Sequence, residues 1–146
     1  MYARILVAND GSKQSEQAMA SAMDLAAEHH AELLALTVVP RRAMNYFTGM
    51  TVATAEDMAR NEAQSMQPAQ QALNALARQA QARDITLKTD TVSSDAPADA
   101  IAVAAKKHGS DLIVMAADGR NRLMRLIFGS QTQQLVANAK LPVLVV

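Results

Sequence analysis

Apolar residues fall along this chain in short unbroken runs separated by longer amphipathic stretches, an alternation that predicts strands and helices in turn. Ile5-Leu6-Val7-Ala8 is a continuous apolar run that stops at Asn9-Asp10-Gly11-Ser12, a strand followed by turn chemistry. From Ser15 onward a helical period appears, with Ala18, Met19, Ala22, Met23, Leu25 and Ala26 sharing a face. Leu33 to Val39 reads as a second buried strand, halted by Pro40. Residues 41–53 read as a loop carrying Tyr46, Phe47 and Gly49. A long Ala- and Gln-rich helix follows from Ala55 to Ala82, and Pro68 predicts a bend or break within it. Ile85 to Val92 alternates apolar and polar, the pattern of a less buried or edge strand. Pro97 marks a helix start, with Ile101, Ala104 and Ala105 on its apolar side. Leu112 to Met115 is a fourth strand, Thr132 to Ala139 a last helix, and Leu141 to Val146 a strand that ends the chain.

Strands apolar on both faces and separated by helices imply a parallel sheet covered on both sides, an α/β domain. In such sheets ligands sit beyond the carboxyl ends of the strands, where strand order reverses. Asp10, Val38 and Ala116 all fall at such ends, so residues far apart in sequence converge on one rim. After the fourth strand the chain continues Ala116-Ala117-Asp118-Gly119-Arg120, and nine residues beyond Gly119 it reaches Gly129-Ser130-Gln131-Thr132. Glycine lets the backbone approach closely, and the free N–H groups of a helix start face an anion. The combination predicts a cradle for phosphates. It is neither a Walker loop, since no Gly-Lys-Ser/Thr occurs, nor the GxGxxG dinucleotide fingerprint.

Composition trims the alternatives. The 146 residues suffice for one domain that buries roughly 68–70% of its unfolded surface. The absence of cysteine excludes thiol catalysis, zinc-thiolate sites and iron–sulfur clusters. Fourteen Lys and Arg balance fourteen Asp and Glu, so no net field points to nucleic acid or an anionic membrane. The chain shows no signal peptide and no apolar run near the ~18 residues that span a bilayer, which makes a cytoplasmic location the expectation. No Ser–His–Asp set, HExxH or paired carboxylates appear, so no catalytic residue is assigned and an efficient enzyme is not expected. His29-His30 does not make a metal pair, because adjacent helical residues do not share a face.

Arg4 to Ser12, Leu112 to Met115, the glycines and Leu141 to Val146 together resemble the universal stress protein family over nearly the whole chain. The family's nucleotide-binding branch carries Gly, two residues, Gly, nine residues, then Gly-Ser or Gly-Thr. Gly119, the nine-residue gap, Gly129 and Ser130 match, while the first glycine position is Ala116. The resemblance implies one universal stress protein domain over residues 1–146. Its fold would be doubly wound: a five-stranded parallel sheet of order 3-2-1-4-5, helices on both faces, of the adenine nucleotide alpha hydrolase-like type.

It further implies an ATP site, with ADP or AMP as alternatives. Asp10 would hold the adenine or ribose end, Val38 would pack on the base, and Ala8 and Asn9 would line that end through their backbone. Met115 and Ala116 would belong to the same nucleotide-binding set, Ala116 adding a methyl where the family has bare backbone. Gly119 and Arg120 would wrap the phosphates, and Gly129, Ser130, Gln131 and Thr132 would offer donors from the helix start. Mg²⁺ would be held by phosphate oxygens and water, with no metal ligands from the chain. Asp118, beside the phosphates, would either repel the nucleotide or bind its metal. Asp10 also fits a plain helix cap, and the glycines also fit ligand-free turns. Tyr46 and Phe47 suit a lid over the nucleotide or a partner interface. The apolar Val143 to Val146 edge invites pairing with a second copy, the two-fold contact common in the family. Two readings follow: an ATP-binding stress-response module acting through a regulatory protein partner, or a dimeric interaction protein of the same family that binds no nucleotide.

Overall fold

The computed structural model describes residues 1–9, 13–39, 55–116 and 138–146, with backbone only at 55–66, 68 and 69. The element order is β1 (Arg4–Ala8), α1 (Lys13–His29), β2 (Glu32–Val39), α2 (Ala55–Ala82), β3 (Leu87–Ser93), α3 (Pro97–His108), β4 (Leu112–Met115) and β5 (Val143–Val145). All strand pairs are parallel, in the order β3-β2-β1-β4-β5. The expected doubly wound sheet is therefore present with its expected strand order. Asp10, the residues 117–137 that carry the glycines, and Tyr46 and Phe47 lie outside the described residues.

β1 and β4 are central, and Ile5, Leu6, Val7, Ile113, Val114 and Met115 are fully buried, as continuous apolar runs require. A right-handed crossover for each parallel connection puts α1 and α2 on one face and α3 on the other. Side chains agree with this. His108 of α3 approaches Asp90 of β3 at 3.9 Å, so Asp90 marks the α3 face. By strand alternation Thr89, Thr91 and Ser93 then belong to the α1/α2 face, and their register partners Ala35, Thr37 and Val39 with them. Three hydroxyls on this face, Thr37 Oγ1, Thr91 Oγ1 and Ser93 Oγ, are buried with no hydrogen-bond partner among the described residues. Each such group costs about 1–3 kcal/mol relative to a satisfied one.

Two boundaries differ from expectation. Of the bend or break expected at Pro68, the break is absent: α2 is continuous over its 28 residues. Proline removes one backbone donor, but the Ala- and Gln-rich sequence on either side has high helix propensity and carries the helix through. β3 begins at Leu87 rather than Ile85, because Ile85 N–H donates to Ala80 O at 2.9 Å and closes the end of α2 instead. β3 is nevertheless an edge strand, as its alternation predicts.

The amino ends of the strands are tied by Asp111. Its carboxylate accepts N–H bonds from Ala3 at 2.8 Å and Arg4 at 3.0 Å, and its own N–H donates to Arg4 O at 2.8 Å. One residue thus fixes β1 against the start of β4.

Candidate functional site

β1 is followed by β2 and β3 on one side, and the chain then crosses to β4 and β5 on the other. Strand order reverses between β1 and β4, and a crevice at their carboxyl ends is the place where a doubly wound sheet accepts a ligand. The described site residues gather there. Ala8 and Asn9 leave β1, Val38 sits near the end of β2, and Met115 and Ala116 leave β4, so three adjacent strands contribute. All five are buried, from 0% exposure at Met115 to 7% at Asn9.

Asn9 is held from two sides. Its backbone N–H donates to Leu36 O at 2.8 Å, extending the β1–β2 ladder by one residue past the strand. Its side-chain Oδ1 accepts from the Ser15 hydroxyl at 2.9 Å, a buried contact that fastens the strand end to the first turn of α1. The sequence marks Ser15 only as a helix beginning. Its role in positioning Asn9 shows only once the strand and the helix are placed. Val38 pairs in register with Val92, and Val39 O accepts from Ser94 N–H at 3.0 Å, so the end of β2 is fixed against β3. On the other side Met115 O accepts from Val146 N–H at 2.9 Å.

Ala116 is 1% exposed. Among the described residues the non-glycine positions with positive φ are His30, Asp84 and Lys140, so Ala116 has an ordinary negative φ. Alanine therefore carries no backbone strain at the position where the resembled motif has glycine. The described part of the rim thus consists of four apolar residues, Ala8, Val38, Met115 and Ala116, and the amide of Asn9. Asp10, Gly119, Arg120, Gly129, Ser130, Gln131 and Thr132, the residues expected at the ribose and phosphates, lie outside the described residues.

Beside the rim, α1 and α2 enclose a cleft of about 720 Å³ headed by Asn9 and Ser15. Met19 and Met23 floor it, while Ala20, Ala72 and Ala75 wall it. At its far end Arg83 pairs with Asp24 at 2.6 Å. His29 packs edge-on against Tyr2, with ring centroids 5.6 Å apart.

The universal stress protein family model matches residues 1–146. A universal stress protein of Methanocaldococcus jannaschii is 30% identical over 146 residues, covering 100% of this chain and 82% of its own length. The structure is similar to that of a universal stress protein UspA from Lactobacillus plantarum, with a TM-score of 0.76, 28% identity and coverage of 99% of this chain and 97% of that one. It also shares its fold with a universal stress protein in complex with cAMP, at a TM-score of 0.69, 24% identity and coverage of 99% and 97%.

Proposed function

Because this chain belongs to the universal stress protein family, we propose that it is a cytoplasmic adenine-nucleotide-binding module, with ATP as ligand, that acts through a protein partner. The observation that carries the reading is the convergence of Ala8, Asn9, Val38, Met115 and Ala116 on the crevice where strand order reverses. The nucleotide seen in a protein of the same fold, cAMP, has the same adenosine half. In this reading Val38 packs on the base, and the backbone at Ala8, Asn9 and Met115 lines its edge. Asp10 holds the ribose. Gly119, Arg120, Gly129, Ser130, Gln131 and Thr132 receive the phosphates, and Mg²⁺ enters on phosphate oxygens and water. Bound Mg²⁺ supplies charge neutralisation at the phosphates. The chain's own residues bind and orient the nucleotide, and no catalytic step is assigned to them.

The functional unit in this reading is a homodimer. β5 is an edge strand, and Leu144, Val145 and Val146 are 39%, 40% and 39% exposed, an apolar edge suited to a second copy of the same strand.

The experiment is to denature the purified protein, identify any released nucleotide, and titrate the stripped protein with Mg-ATP by calorimetry. The expected result is an adenine nucleotide carried through purification, or a micromolar dissociation constant. In Gly129→Val, which fills the phosphate space, binding should be abolished with the fold intact; retained affinity refutes the site assignment. No nucleotide and no heat up to millimolar Mg-ATP favours the nucleotide-free interaction protein. Ala116→Gly then asks whether that alanine is the cause, by restoring binding or failing to.

A further inference from the structure

We infer that a single water molecule is built into the amino end of the sheet, held in a small cavity under the last turn of α3 by Ser110 Oγ and His108 Nε2. The cavity lies at the opposite end of the strands from the crevice, so the inference stands independently of nucleotide binding.

His108 and Ser110 flank the left-handed Gly109 that ends α3, and both line this cavity. Much of the remaining wall comes from the starts of three neighbouring strands: Arg4 of β1, Glu32 and Leu34 of β2, and Lys88 of β3. Two polar atoms in the wall, Ser110 Oγ and His108 Nε2, are cut off from solvent and have no hydrogen-bond partner among the described residues. Ser110 as a whole is 6% exposed, so its hydroxyl cannot turn outward to find one. His108 Nε2 comes no nearer to Asp90 Oδ2 than 3.9 Å, beyond the reach of a hydrogen bond. Buried polar atoms left in this state are costly, and an internal water is the usual way in which a fold satisfies them.

Size and charge select the occupant. The cavity has about 20 Å³ of room, and one water needs about 10–15 Å³ on the same measure. Nothing larger than a water-sized ligand fits. A chloride would lie against the Glu32 carboxylate, and a sodium or ammonium ion would lie against Arg4 and Lys88. These charges already answer one another: Glu32 Oε2 is 3.6 Å from Arg4 Nε and 3.4 Å from Lys88 Nζ. Water suits both open atoms whichever tautomer His108 adopts, because it donates or accepts at the ring nitrogen and a hydroxyl does either in return. An internal water makes about three hydrogen bonds, and Glu32, in the same wall, offers the third. The carboxyl end of α3 is thereby fastened to the strands through the water.

A crystal structure of the intact protein tests this, together with oxygen-17 relaxation dispersion, which registers waters held inside a protein in solution. The expected result is density for one water about 2.7–3.2 Å from both Ser110 Oγ and His108 Nε2. Ser110→Val fills the cavity with methyl groups, and His108→Phe keeps a ring while removing the nitrogen. Each should lose that density and the dispersion that one water contributes. If Ser110→Val fails to fold, the parent and His108→Phe decide the matter. An empty cavity in the parent overturns the inference. So does a direct bond between Ser110 Oγ and His108 Nε2, the Lys88 side chain in the water's place, or an ion there, identified by its coordination distances. A His108→Phe protein that keeps the density and dispersion of the parent overturns it too.

Discussion

His30, Asp84 and Gly109 follow the ends of α1, α2 and α3 with φ of 53°, 56° and 64°, so each of these helices closes on a left-handed residue. The capping bonds are alike: Ala31 N–H to Ala26 O at 2.9 Å, Ile85 to Ala80 at 2.9 Å, and Ser110 to Ala105 at 2.9 Å. Only at α3 is that residue glycine. For a residue with a Cβ the left-handed conformation costs about 1–2 kcal/mol, and glycine's greater freedom in the unfolded chain gives back about 0.5–1 kcal/mol of that advantage. His30→Gly should therefore stabilise the protein by about 0.5–1 kcal/mol in denaturant titration. Gly109→Ala should destabilise it by about 0.5–1 kcal/mol, the left-handed cost less the freedom that glycine regains on unfolding. A Cβ at 109 would lie 2.9 Å from Arg4 Nη1, the tip of a flexible side chain whose only ties among the described residues are a 3.4 Å bond to His108 O and an exposed pair with Glu32. If His30→Gly unfolds earlier than the parent, left-handed strain is not what His30 carries. Neither His30 nor Asp84 announces its conformation in the sequence, because it is set by where the next strand must enter the sheet. At Ala116 the reverse holds: the motif suggests a position needing glycine, and the backbone there has no such need.

Elements were more legible than residues. β4 has the boundaries that its apolar run predicts, Leu112 to Met115, because a strand buried on both faces leaves no ambiguity of period. α2 was legible as a helix but not in its continuity at Pro68, since helix propensity summed over many residues outweighs one lost donor. The two edge strands differ in kind. β3 carries Lys88 and Asp90 among its hydroxyls, charges that discourage another strand from adding to it, whereas β5 is valine and leucine throughout. Pairing of copies should accordingly run through β5. Val145→Lys should convert a dimer to a monomer in sedimentation velocity, with the far-UV dichroism unchanged. A dimer that survives this substitution at the same concentration places the interface elsewhere.

For the molecule as a whole, the strand order and the switch point between β1 and β4 follow from the sequence by its resemblance, and the described candidate residues lie at the ends of β1, β4 and the adjoining β2. The Asn9–Ser15 bond, the Asp111 clamp and the unpaired hydroxyls of Thr37, Thr91 and Ser93 were not legible, because each depends on strands and helices being placed side by side. A ligand bound only by the native protein stabilises it by about 2.7 kcal/mol at a hundredfold excess over its dissociation constant, or roughly 5–10 °C in a domain of this size. Saturating Mg-ATP should raise the thermal midpoint by that amount, and an unmoved midpoint argues against the nucleotide reading. The Asp111 clamp has a consequence in time as well as in space. It joins residues 108 positions apart, so the strand synthesised first waits that long for the second of its two neighbours. At about 5–20 residues per second that wait is roughly 5–20 s. Throughout it the edge of Ile5 to Ala8 that β4 will occupy stays open, although β2 can already pair with the other edge.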